Sequence, residues 1–519
     1  MALLRAMATV GGYTMASRVL GFVRDVLVAA IVGAGPLSDA FFVAFKLPNL
    51  FRRLFAEGAF SAAFVPIFAR RLEGEGKPAA LAFAGEALAV LLWALVALTI
   101  VFELAMPWIM VVLAPGFTGD QALFDLTVEL TRLTFPYLLL IALAALLGGM
   151  LNAVGRFAAY AAAPILLNLC LILPLLWLPD VLPSAAHVLA WSVPAAGIVQ
   201  LLFLAWMARR AGLLPRLLRP RLTEGVRKLL RTIGPAAFGA GVMQVNVLID
   251  TMIATLLPAG AVSYLYYADR VTQLPLGVIG VAVGTALLPL LSRQLQAGNA
   301  DAAMANQNRA IEASMLLTLP AAAALVVLAF PITVALFQRG AFGPAEAQAT
   351  AGALAAFAAG LPAFVLVKAL TPGFFARHDT ATPVKVAILC LVLNVALNLA
   401  LMGPLAHVGL ALATTLSAWL NAGLLMLLLR RRGHFAPDAR LKRRLPRLLA
   451  ATAGMTVVAA AAYWAIRPWF GQGDLRAMLA MAGLVALGIA VFGGLAQLLG
   501  AASVADLRAL RRPRTPPAA

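Results

Sequence analysis

Apolar runs of a length that spans a bilayer recur along this chain, separated by short polar breaks, and they leave it few ways to fold. The stretch LAVLLWALVALTIVFELAMPWIMVVLAP carries a single charged residue, Glu103. About 20 apolar residues in a helix cross the hydrocarbon core. Inside lipid every backbone N–H and C=O must find a partner within the protein, which makes helices the default for runs this long. The 519 residues are 63% hydrophobic and 12% charged, against roughly 45–50% and 25% in soluble domains. The reading is an all-α polytopic membrane protein with about fourteen transmembrane helices. They are expected near 8–33, 37–70, 79–113, 123–154, 157–180, 185–210, 226–257, 260–294, 303–337, 345–376, 382–403, 407–430, 445–467 and 475–500. Pro48, Pro136, Pro275 and Pro362 lie within these runs as expected kinks or breaks.

The net charge is +19, from 40 Lys and Arg against 21 Asp and Glu. Its distribution argues against nucleic acid, because the basic residues gather in short loops at alternate helix ends and lack interleaved aromatics. Arg70, Arg71 and Lys77, then Arg156, Arg209 to Arg231, Arg293, Arg377 and Lys385, and Arg430 to Arg447 fall on one side. That side is expected to be cytoplasmic, with both termini on it. Cys170 and Cys390 sit in apolar runs and read as small core residues, without a disulfide framework. No removable signal peptide is expected.

One stretch breaks the apolar pattern. From Ser17 to Glu57, two adjacent spans hold Arg18, Arg24, Asp25, Asp39, Lys46, Arg52, Arg53 and Glu57. A charge near the bilayer centre costs about 2.5–3.5 kcal/mol on insertion scales, so such residues face an aqueous cavity or one another. Five are basic and three acidic, which points to an anionic cargo handled inside the membrane.

A weak internal repeat relates Ser38 to Leu72 with Ser263 to Leu295, and Phe135-Pro136…Arg156…Asn168 with Leu361-Pro362…Arg377…Asn394. The copies lie six helices apart and so share one orientation. The expected architecture is two six-helix lobes in a pseudo-twofold arrangement plus two C-terminal helices. Residues 1–211 form the N-lobe, 212–222 a cytoplasmic linker, 223–431 the C-lobe, 432–503 helices 13 and 14, and 504–519 a basic cytoplasmic tail. Transporters built from repeats bind substrate where the repeats meet, which would bring Arg18, Arg24, Lys46 and Arg52 toward Asp269 and Arg270.

At SRVLGFVRD, GAGPLSDAFFVAFKLPNLFRRLFAEGAFSAAFVP and YYADRVTQLPLGVIGVAVGTALLP the sequence resembles the MurJ (MviN) family, bacterial lipid II flippases of the MOP exporter superfamily. The resemblance covers essentially the whole chain, including Thr134 to Tyr137, Leu370 to Ala376 and Thr382 to Lys385. It implies a MOP/MATE-like fold in the bacterial cytoplasmic (inner) membrane. It also implies transfer of the undecaprenyl-diphosphate-linked peptidoglycan precursor from the cytoplasmic to the periplasmic leaflet by alternating access. The polyprenyl tail would lie in a groove beside helices 13 and 14.

The resemblance gives Arg18, Arg24, Arg52 and Arg270 the substrate's diphosphate. Guanidinium suits that role because it is bidentate and stays charged when desolvated. Lys46, Asn49, Ser17 and Ser263 accompany them as substrate-side residues. The plainer reading is intramembrane ion pairing, with Arg18 and Asp25 on one helix face and Arg53 paired with Glu57 at i,i+4. Asp39 is expected to close an outer gate against a cation, and Asp269 to orient Arg270. Asp250, Asn394, Asn398 and Thr414 offer the hard oxygens of a Na⁺ or H⁺ site, a pattern that the family resemblance also carries. The competing reading of these four is a hydrogen-bonded group locking helices together.

No GxxxxGK[ST] loop and no metal-spaced histidines are present, so a transporter is expected rather than an enzyme, with no cofactor beyond ion coupling or membrane potential. The expected partners are lipid II, membrane lipids and peptidoglycan synthases. Two alternatives remain. One is a cation-coupled MOP-superfamily exporter of another polyprenyl-linked glycan or a drug; the other is a non-transporting scaffold of cell-wall assembly.

Overall fold

A computed structural model describes residues 2–55, 59–179, 181–471 and 473–501. Among these the secondary structure is helical, with no strand. Among the described residues nine helices are long and apolar enough to cross a membrane. Most of the candidate charges lie on α1 (Ala2–Val32), α2 (Pro36–Phe55), α9 (Glu224–Thr255) and α10 (Ala261–Gln296).

Among the described residues sixteen α-helices are seen, because some expected spans divide and two others join. The described parts of the expected 37–70 helix are α2 and α3 (Ala59–Gly74). The 123–154 helix divides into α5 (Gln121–Thr134) and α6 (Tyr137–Ala153) at Phe135-Pro136. Pro136 lacks the N–H that would continue the ladder. The 303–337 helix divides into α11 (Ala300–Val327) and α12 (Ala329–Phe337). Pro331 there would press its ring on the carbonyl of Val327, four residues back and the last of α11. Pro48, Pro275 and Pro362 leave their helices unbroken.

The expected helices 382–403 and 407–430 form one element, α14 (Ala381–Arg431), folded sharply at Ala406 with φ 45° and ψ −130°. The two arms come so close that a Cβ at Gly409 would sit 2.4 Å from the Leu401 carbonyl oxygen. Only glycine fits there.

The chain forms two compact units, Met1–Ser263 with Gly340–Phe342 and Tyr264–Arg339 with Gly343–Ala519. In the first, α6 is buried along nearly its whole length and packs on α3 and on α8 (Ala185–Arg210). Phe64 stacks on Phe60, Phe68 and Phe83. Tyr137 donates its hydroxyl to Gln200 at 3.2 Å, which satisfies two polar groups in an apolar core. Helix α1 ends at Gly33, with φ 79°, and its orphan Ala30 carbonyl accepts from the Ala341 N–H at 2.8 Å.

In the second unit α13 (Pro344–Phe375) is the buried centre, flanked by α11, α12 and α14. Helix α15 (Ala439–Ile466) packs on α11 and on α16 (Leu475–Leu498). Between α13 and α14, Asp379 accepts from the Thr382 N–H at 2.9 Å and from Arg432 at 2.5 Å. Hydrogen bonds from Thr382 and Arg432 hold its carboxyl down at about 2. This loop clips the two ends of α14 together.

Candidate functional site

The strongest cluster lies on α1 and α7 (Phe157–Trp177) of the first unit. Arg24 donates from Nε at 3.1 Å and from Nη2 at 2.7 Å to Asp25 Oδ1, and from Nη1 at 3.1 Å to Asn168 Oδ1. Asn168 in turn donates to the Ser17 carbonyl at 3.0 Å. The Arg24 and Asp25 side chains are 12% and 4% exposed. A guanidinium gripped on both edges by buried acceptors keeps its charge and has little freedom to turn. Arg18, nearer the start of α1, is exposed.

The candidate roles of Arg24, Asp25 and Ser17 thus meet in one network, tied by a residue that the sequence marked only as part of a repeat. Asn168 is the one amide in the apolar run FAAYAAAPILLNLCLILPLLW. That isolation, with its repeat counterpart Asn394, was the available signal.

On α2, Asn49 Oδ1 accepts from Arg52 Nε at 3.0 Å. Both are half-buried, as is Lys46 one turn earlier, while Arg53 is exposed. The expected partner of Arg53, Glu57, lies outside the described residues.

Asp39 corrects an expectation. Its carboxylate meets no cation: Oδ2 accepts from the Gly260 N–H at 2.6 Å, and Oδ1 accepts from the Ser263 N–H at 2.8 Å and its hydroxyl at 2.5 Å. Ser38 and Ser263 hydroxyls also touch at 2.8 Å. All three residues are buried. The orphan N–H groups at the start of α10 call for an acceptor, and a carboxylate beside the positive end of the helix dipole supplies it. Ser263, a candidate substrate contact, is committed to this cap and is 0% exposed.

In the second unit Arg270 lies over the Tyr266 ring, 4.7 Å from its centroid. A flat guanidinium on an aromatic face is held without losing its charge. Asp269 does not orient it; the carboxylate turns to Gln273, one helical turn on, at 2.5 Å. Asp269 and Gln273, four apart, share a helix face.

The candidate ion ligands fall in both units. In the first, Asn246 donates to Asp250 at 3.3 Å. In the second, Asn398 donates to Asn394 at 3.1 Å, both buried, and Thr414 donates to the Leu410 carbonyl at 3.0 Å. Among the described residues no group of three or more His, Cys, Asp or Glu could hold a metal. The carboxylate and amide oxygens in the first unit, and the amide and hydroxyl oxygens in the second, are hard donors that suit an alkali cation better than a transition metal.

Comparison with known proteins agrees with this geometry. The family model described as lipid II flippase MurJ matches residues 28–482. A probable lipid II flippase MurJ of Rhizobium meliloti (strain 1021) is 46% identical over 98% of this chain and 96% of its own length. One from Rhizobium tropici is 45% identical over 100% of this chain and 98% of its own. Among solved structures, a lipid II flippase MurJ in an inward closed conformation aligns with TM-score 0.78 at 22% identity, covering 97% of this chain and 99% of the other. An inward-facing multidrug resistance MATE transporter of the MOP superfamily aligns with TM-score 0.69 at 17% identity, over 80% of this chain and 94% of the other. At such identities the structural likeness speaks for the all-helical fold alone. The sequence relationship is what decides the family: the chain belongs to the lipid II flippase MurJ family.

Proposed function

We propose that the chain moves lipid II from the cytoplasmic to the periplasmic leaflet, with Arg24 as the principal contact for the diphosphate. The observation that supports this reading is the guanidinium fixed between Asp25 and Asn168 within an otherwise apolar helix pair. Desolvation strengthens its attraction for a phosphate oxygen, and its rigid mounting removes the entropy of ordering a long side chain. Arg18, Arg52 and Lys46 in the first unit and Arg270 in the second are proposed as further contacts. A diphosphate carried past several cations is attracted by each in turn without being trapped at one.

Alternating access is the proposed cycle, in a bacterial cytoplasmic membrane with both termini cytoplasmic. Peptidoglycan synthases are the proposed consumers on the outer side. The test is depletion of the protein in its host, followed by precursor analysis and a leaflet-accessibility assay. Precursor should accumulate, inaccessible from outside, and wild type but not Arg24→Ala should restore access. Normal delivery of that lipid during depletion, or full rescue by Arg24→Ala, would overturn the reading.

Ion coupling is proposed for Asp250 in the first unit and for Asn394, Asn398 and Thr414 in the second. If Na⁺ binds there, Asp250→Asn should flatten the dependence of transport on sodium concentration. A sodium response identical to wild type would remove the idea.

A further inference from the structure

The amino-terminal turns of α15 read ARLKRRLPRLLA, with Arg440, Lys442, Arg443, Arg444 and Arg447 packed into one short stretch. Two of these cations turn inward. Glu312 on α11 is 7% exposed and accepts from Arg440 at 3.1 Å, Arg444 at 2.5 Å and Arg309 at 2.6 Å. Arg309 also pairs with Asp438, which caps α15 through the Leu441 N–H at 2.7 Å. The buried carboxylate therefore fixes the rotation of α15 about its axis, and that rotation sends Lys442 and Arg443 to the exposed side. Six cations (Arg309 with the five of α15) stand against two carboxylates, Glu312 and Asp438, a surplus of four.

The exposed side continues downward as an apolar strip. Lys442, Pro446, Leu449, Ala453 and Val457 are all exposed and succeed one another at three- and four-residue steps, so they form one line along the helix. Leu449 is 50% and Val457 68% exposed. Arg444 and Trp464 are twenty residues apart in the helix, a rise of about 30 Å, which is the thickness of the hydrocarbon core. Trp464, 77% exposed, is the residue type that marks an interface. Lys442 and Arg443 then stand at the opposite headgroup level, directly above an acyl-length apolar track.

We propose that this face of α15 binds an acidic phospholipid of the bilayer, its phosphate on Lys442 and Arg443 and one acyl chain along Leu449, Ala453 and Val457. Basic clusters where a helix leaves the membrane attract anionic headgroups, and here an apolar strip lies in register below the charge. The ligand is a structural membrane lipid, distinct from the cargo, and the site is independent of the α1–α7 network.

The test uses the full-length purified protein in mild detergent. Retained lipid is read by native mass spectrometry, and thermal stabilisation is read on adding phosphatidylglycerol, cardiolipin, phosphatidylcholine or inorganic phosphate. Wild type should retain and be stabilised by the acidic lipids alone. The double variant Lys442→Gln/Arg443→Gln, exposed and outside the Glu312 pairs, should fold with the same midpoint in the absence of lipid and bind acidic lipid about thirtyfold more weakly. Equal binding by the variant, equal stabilisation by phosphatidylcholine, or stabilisation by phosphate alone would each overturn the proposal.

Discussion

Single side chains in this protein do two kinds of work that look alike in the sequence. Asp25 and Asp39 are both acidic residues in polar-interrupted helices, yet one grips a guanidinium and the other caps a helix. The distinction has a measurable consequence. Asp39→Ala would leave two buried N–H groups and a buried hydroxyl without their acceptor. Each unsatisfied buried donor costs about 1–3 kcal/mol, so the variant should unfold well below wild type in a thermal melt of the purified protein. An unchanged midpoint would mean that the cap contributes nothing. The arginines were visible in the sequence because charge in an apolar run is rare. The acceptor Asn168 was not, since it lies on another helix, 144 residues from Arg24.

At the scale of elements, apolar periodicity locates helices well and locates their breaks poorly. Pro136 interrupts its helix while Pro48, Pro275 and Pro362 do not. A proline removes the same N–H everywhere, but whether the helix resumes depends on neighbours able to satisfy the freed carbonyl. Residue type alone does not reveal those neighbours. The joint at Ala406 shows the opposite case. A break was expected between 403 and 407, and the turn is so tight that the two arms meet at Gly409. The rotation of α15 was likewise beyond sequence reading, because it depends on Glu312 more than a hundred residues earlier.

For the molecule as a whole, family and helical class were legible from motif and composition, because both are carried by local sequence. Sidedness rests on loop charge and is open to direct measurement. With Cys170 and Cys390 replaced by Ser, a single cysteine at Gly403 should react with an impermeant thiol reagent in intact cells. One at His378 should react only after the membrane is opened. The reverse pattern would invert the proposed topology, and with it the leaflet in which transport begins.

The seal on α1 has a bearing on biogenesis. The carbonyl of Ala30 waits for the N–H of Ala341, and Gly340–Phe342 belongs to the first compact unit although the rest of that unit ends at Ser263. A ribosome adding roughly 5–20 residues per second needs on the order of tens of seconds to travel from one to the other. During that interval the carboxy-terminal end of α1 is unfinished. Coexpressed fragments divided at the unit boundary would leave the first fragment permanently without its last three residues.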